Sequence, residues 1–137
     1  MSFVLDCSAA GCWCFDDEAS RRSDELLVQL KADGAAVPAH WPLEIANILL
    51  SAERCGRIRL STVEERLALL RELPIKVELI TIDNTWRQTL GLARANKLTS
   101  YDAAYLELAL RLRLPLATKD KQLAAASARN KVEIIAV

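Results

Sequence analysis

Apolar and polar positions follow one another along this chain in two rhythms. Short apolar runs of strand length alternate with longer segments of helical spacing. Ser2–Leu5 predicts a first strand. Ser8–Phe15 predicts a short helix, and Glu18–Ala32 an amphipathic one. The apolar stripe of the second helix is Leu26, Leu27 and Leu30, with charges opposite, and Gly34 ends it. Ala35–Pro38 reads as a second, weaker strand. Trp41–Arg54 reads as a helix with Pro42 in its first turn, where the missing N–H costs nothing, and Gly56 as its stop. Ser61-Thr62-Val63-Glu64 has the form of a capping box opening a helix over Val63–Leu73, closed by Pro74. Val77–Ile82 predicts strand three, with Asp83 a cap for the helix Thr85–Ala95. Ser100 is the expected cap of a helix running to Arg113. Leu114–Thr118 predicts strand four, Lys121–Arg129 a short helix, and Val132–Val137 strand five.

Strands separated by helices require right-handed crossovers, and hence a parallel sheet covered on both faces. The expected class is α/β, with residues 1–137 forming a single domain. Sites in such sheets form beyond the carboxyl ends of the strands, where the strand order reverses. Asp6 and Asp120 fall just past the ends of strands one and four. Asp102 lies at the start of the helix preceding strand four.

Composition narrows the class. A chain of 137 residues, 52% hydrophobic and 26% charged, has the balance of a soluble globular domain. No apolar run is long enough to span a bilayer, and no basic segment followed by an apolar one marks a signal peptide. The expected location is cytoplasmic, without membrane association. Zero net charge argues against bulk electrostatic capture of nucleic acid. The halves differ, with 7 basic and 11 acidic side chains in residues 1–70 against 11 and 7 in residues 71–137. Cys7, Cys12, Cys14 and Cys55 lack a usual zinc spacing, and the lone His40 is distant from them in sequence, so they are expected to be buried and reduced.

Four acids stand in settings that call for a reason. Asp6 ends an apolar strand, and Ser8 places a hydroxyl two residues on; on local grounds alone, helix capping is the stronger reading. Glu44 interrupts the apolar run of its helix, with Asn47 one turn along on the same face, which suggests an internal polar site; the alternative is a partly exposed acid near the helix N-terminus, favoured by the dipole. Asp102 sits in a helix first turn, where an acid also complements the dipole. Asp120 follows strand four and could be an N-cap, with Thr118 supporting it as Ser8 supports Asp6. Should these four converge, each pair at about 5 Å would cost roughly 3 kcal/mol at an effective dielectric near 20. Such a cluster takes up protons or binds divalent cations. Ser8 occupies the place where an aspartyl-phosphate phosphatase needs a second acid, and no glycine-rich phosphate loop exists.

Taken together, these segments resemble the PIN-domain ribonucleases, and within them the VapC-type toxins of bacterial toxin–antitoxin pairs. Phe3-Val4-Leu5-Asp6-Cys7-Ser8-Ala9 resembles the family's opening strand and first acid. Residues 42–49, Pro-Leu-Glu-Ile-Ala-Asn-Ile-Leu, are similar to its second motif. Residues 98–109, Leu-Thr-Ser-Tyr-Asp-Ala-Ala-Tyr-Leu-Glu-Leu-Ala, are the most distinctive match, and residues 116–123, Leu-Ala-Thr-Lys-Asp-Lys-Gln-Leu, resemble its last motif.

The resemblance implies a three-layer α/β/α fold around a five-stranded parallel sheet. It implies Mg²⁺ or Mn²⁺ and metal-dependent hydrolysis of RNA. Asp6, Glu44, Asp102 and Asp120 would be the catalytic set, with Asp6, Asp102 and Asp120 on the metal. Ser8, Asn47 and Thr118 would support them. Arg54, Arg57, Arg59, Lys119 and Lys121 are candidates for positioning RNA. The implied partners are a cognate antitoxin and a second copy of the chain. Trp13, Trp41 and Trp86 are expected in the core rather than at that interface. The competing reading is a PIN-like fold that binds RNA or a partner without cutting, which retention of all four acids disfavours.

Overall fold

The computed structural model describes residues 1–137. Its strands are β1 (Phe3–Leu5), β2 (Ala35–Pro38), β3 (Ile75–Glu78), β4 (Leu116–Thr118) and β5 (Ile134–Ala136). They form one five-stranded parallel sheet in the order β3-β2-β1-β4-β5. The helices are α1 (Cys7–Cys14), α2 (Arg21–Asp33), α3 (Trp41–Arg54), α4 (Leu60–Arg71), α5 (Ile82–Asn84), α6 (Leu90–Asn96), α7 (Ser100–Leu112) and α8 (Lys121–Arg129). A 3-10 turn, Asp16–Glu18, follows α1, and a π-helical segment, Thr85–Thr89, joins α5 to α6. The architecture is the expected three-layer α/β/α fold. Helices α1 to α4 pack on one another on one side, and α6, α7 and α8 on the other.

The central strand explains why the apolar runs show no alternation. Phe3, Val4 and Leu5 are all fully buried, because helices cover both faces of the sheet. The chain winds outward from β1 through β2 to β3. It then crosses back to place β4 on the other side of β1, with Val4 opposite Leu116 and Leu5 opposite Ala117. The connections leaving β1 and β4 therefore diverge, opening a crevice at their carboxyl ends.

Local chemistry accounts for most helix ends. Ser20 and Ser23 cap α2 reciprocally: Ser23 N–H donates to Ser20 Oγ at 3.1 Å, and Ser20 N–H to Ser23 Oγ at 2.8 Å. Lys97 and Arg113 close α6 and α7 in the left-handed conformation, at φ 55° and 56°.

Three expectations about boundaries change. Strand three spans Ile75–Glu78 rather than Val77–Ile82, because its only neighbour, β2, ends at Pro38 and Pro38 pairs with Glu78. The apolar residues beyond, Leu79 and Ile82, are exposed. Helix α4 opens at Leu60 behind Arg59 with no side-chain cap, so Ser61 lies inside the first turn instead of capping it. Thr81 and Thr99, rather than Asp83 and Ser100, cap the helices that follow them. Of the tryptophans, Trp41 is in the core and Trp13 is half-buried, whereas Trp86 is exposed. Cys12 and Cys14 are buried, Cys7 is half-buried, Cys55 is exposed, and all four thiols are free.

Candidate active site

The parallel register of β1 and β4 builds the first part of the site. Asp6 follows β1, and its N–H donates to Ala117 O at 3.1 Å, which extends the ladder by one residue and sets Thr118 beside it. Asp6 is only 3% exposed. Its Oδ2 accepts from Thr118 Oγ1 at 2.6 Å and from Ser8 Oγ at 2.7 Å. Lys119 N–H donates to Ser8 Oγ at 2.9 Å, and Asp120 N–H to Thr118 Oγ1 at 3.0 Å. The hydroxyls thus fasten the two diverging connections together. Both bond the same carboxylate oxygen, which leaves Oδ1 of Asp6 for another partner. The capping reading fails for Asp6, whose side chain makes no cap to α1. It holds for Asp120, whose Oδ1 accepts from Leu123 N–H at 3.0 Å and caps α8.

Glu44 enters from α3. Its Oε1 accepts from the Tyr105 hydroxyl at 2.5 Å and lies 3.3 Å from His40 Nε2. Nε2 also lies 3.1 Å from the Tyr101 carbonyl oxygen, and the His40 ring packs edge-on to Tyr105. Neither Tyr105 nor His40 stood out as a site residue in the sequence. The signals were there: Tyr105 is one helical turn after Asp102, and His40 one turn before Glu44. Burial, then the hydrogen bond to Glu44, pushes the Tyr105 phenol well above its ordinary range, so it stays a neutral donor. Burial, then the charges of Asp6 and Glu44, likewise pushes the Cys7 thiol up, which makes it a poor nucleophile. Asn47 is exposed one turn beyond Glu44 and makes no side-chain hydrogen bond to the cluster.

Asp102 completes the group from the first turn of α7, where Thr99 accepts from its N–H at 3.1 Å. Its carboxyl is held above the usual range, first by partial burial and then by the charges of Asp120, Asp6 and Glu44. One side chain therefore senses the other three, although the four are separated by up to 114 positions in sequence. No group of three or more His, Cys, Asp or Glu side chains is drawn close enough to hold an ion as it stands. The donor chemistry nevertheless suits a hard cation: carboxylate oxygens only, with mutual repulsion that a cation relieves. Of the basic candidates, Arg57 is engaged by Asp17 at 2.7 Å and Glu18 at 2.9 Å, and Lys119 lies 3.7 Å from Glu18.

This repulsion has a measurable consequence. A carboxyl with a raised folded pKa contributes stability below its unfolded pKa, and that contribution is lost as pH rises through the folded value. In the ion-free protein Asp102→Asn should therefore raise Tm by about 2–4 °C near pH 7, the scale of screened charge pairs. The gain should shrink as pH falls into the carboxylate range. Melting curves across pH check this, and an unchanged or lowered Tm near neutrality would count against the cluster.

The fold and site invite comparison with known proteins. No curated protein sequence gives a significant match. Among solved structures, PAE2754 from Pyrobaculum aerophilum aligns with a TM-score of 0.74 at 24% identity, covering 98% of this chain and 83% of its own. Mycobacterium tuberculosis VapC20, a sarcin–ricin loop cleaving toxin, aligns with a TM-score of 0.64 at 17% identity, over 92% of this chain and 95% of its own. A toxin–antitoxin complex from Klebsiella pneumoniae aligns with a TM-score of 0.57 at 18% identity, over 89% and 90%. At these identities the likenesses establish the fold alone. The sequence model of the PIN domain, by contrast, matches residues 3–128, nearly the whole chain and all four acids, and this protein belongs to the PIN-domain family.

Proposed function

We propose that this protein is a divalent-metal-dependent endoribonuclease, the toxin of a toxin–antitoxin pair. The observation that carries the reading is the placement of the acids: Asp6, buried and held by Ser8 and Thr118, is joined through Thr118 to Asp120, with Glu44 held by Tyr105 and the Asp102 carboxyl raised first by burial and then by the charges of Asp120, Asp6 and Glu44. Asp6, Asp102 and Asp120 would hold Mg²⁺ or Mn²⁺ through oxygen. When bound, such an ion offsets charge growing on the phosphate oxygens and lowers the pKa of a nearby water.

The chain's own residues supply the positioning. Ser8 and Thr118 pin Asp6 through Oδ2 and present Oδ1 outward. Tyr105 pins Glu44 through Oε1, leaving Oε2 to orient the attacking water and take its proton. A histidine acid–base pair is not available within one chain, since His40 is the only histidine.

Mapping cleavage on total RNA, with Mg²⁺, Mn²⁺ and chelator arms, tests the activity. Cuts at defined positions that vanish with chelator are expected. Cutting that survives chelation excludes the metal role, and intact RNA in every arm favours a binding module instead. Thr118→Val keeps the shape of the side chain and removes its hydroxyl. It should slow cleavage about 10- to 100-fold, as loss of a ligand-orienting group does, measured under single-turnover conditions. The toxin role further supposes a small antitoxin and a second copy of the chain as partners. Growth arrest on overproduction, relieved by the co-expressed partner, is the expected result, and harmless overproduction would speak against it.

A further inference from the structure

A cavity of about 250 Å³ lies between α7, the ends of β2 and β3, and the π-helical segment. It adjoins the acid cluster through one side chain: His40 lines the cavity and stands 3.3 Å from Glu44 Oε1. Pro38, Ile80, Ala104 and Leu108 give it apolar walls, and Tyr101, largely exposed, stands at its rim. One residue of the cavity lining, Thr89, carries a buried polar group. Thr89 is 2% exposed, yet its hydroxyl has no hydrogen-bond partner. In a regular helix a threonine hydroxyl commonly bonds a carbonyl one turn back. Here Thr89 closes the π-helical segment, a distortion found often at functional sites. The charged groups around the cavity are already matched. Glu107 Oε1 accepts from Arg111 at 2.8 Å and Asn84 at 3.0 Å, and Glu78 meets Lys76 at 3.2 Å.

We infer that this cavity receives the nucleobase adjoining the scissile phosphate of the RNA, an assignment that rests on the nuclease reading above. A base lies one sugar away from its own phosphate, so a phosphate at the acids sets an adjacent base within reach of a cavity sharing His40. Unpaired RNA bases are recognised by stacking on aromatic rings and by hydrogen bonds to their edges. His40 and Tyr101 supply rings, and Thr89 supplies a hydroxyl that can donate or accept. The volume suits one ring system and is below that of pockets for larger ligands. Both carboxylates of its lining, Glu78 and Glu107, are paired with cations.

The test uses single-stranded RNA oligonucleotides carrying a mapped cut site, with each base placed in turn on either side of the cut. Wild-type protein, Thr89→Val and Tyr101→Ala are compared by kcat and KM. Removing an unpaired buried hydroxyl leaves folding intact, and Tyr101 is exposed, so both variants are expected to fold, with melting curves as the check. Wild type should prefer one base at one flanking position by roughly ten-fold or more. Both variants should flatten that preference mainly through KM, with kcat on the remaining oligonucleotides within about twofold of wild type. A preference unmoved in both variants overturns the assignment and leaves the nuclease reading intact. The same holds if the variants instead release a co-purified protein, which would assign the cavity to a partner. Wild-type protein that cuts no RNA overturns the nuclease reading, and this assignment with it.

Discussion

Asp6→Asn is expected to slow RNA cleavage by about 10²- to 10³-fold, the scale of losing one preorganised charge-stabilising group. The substitution is nearly isosteric at a side chain 3% exposed, so packing around it is preserved. The amide oxygen can still accept from Ser8 and Thr118, which keeps the two connections joined. What disappears is the negative charge of the carboxylate. An amide is a weaker ligand for a hard cation than a carboxylate, and it adds N–H groups where the ion would sit. Single-turnover cleavage with saturating Mg²⁺ or Mn²⁺, alongside a melting curve, separates lost chemistry from lost fold. Asp102→Asn should fail comparably while melting higher than wild type without metal, as derived above. Undiminished cleavage by both folded variants would remove the acids from the mechanism.

Leu5→Ala carries the largest expected effect on stability, about 2–5 kcal/mol. Leu5 is fully buried on the central strand, paired on one side with Ala117 and flanked on the other by β2. Truncation removes contacts from a close-packed interior that collapses only in part. Domains of this size hold about 5–15 kcal/mol in total, so the loss is a large share. Urea unfolding should show a lower midpoint with an unchanged slope. Because Leu5 directly precedes Asp6, the variant should also lose part of its cleavage rate under conditions where it remains folded. A stability change below about 1 kcal/mol would mean that β1 is not the packed centre described here.

The two rhythms of the sequence predicted strand and helix throughout, and the sheet confirms the expected parallel α/β class. Errors gathered where tertiary context outweighs local pattern. Val77–Ile82 is apolar enough for a strand, but a strand lasts only as long as its neighbour, and β2 stops at Pro38. The segment after Asp83 reads as one regular helix, whereas the fold inserts a π-helical stretch at Thr85–Thr89. Ser61 carries a good capping signal, yet helix α4 begins before it. Trp86 was expected inside and lies outside, exposed on the π-helical segment.

The acids show the same division. Asp120 is both an N-cap and a member of the cluster, so its local reading was correct without being complete. Tyr105 reads as an ordinary core residue until its hydroxyl meets Glu44, 61 positions away. By itself the sequence determined the order and type of the main helices and strands, and where unexplained carboxylates occur, because burial period and side-chain chemistry are local properties. Only the tertiary structure decided that Thr118 stands against Asp6, that His40 and Tyr105 hold Glu44, and that Thr89 is left unpaired beside them. Those relations depend on strand order and register, which are set by long-range packing.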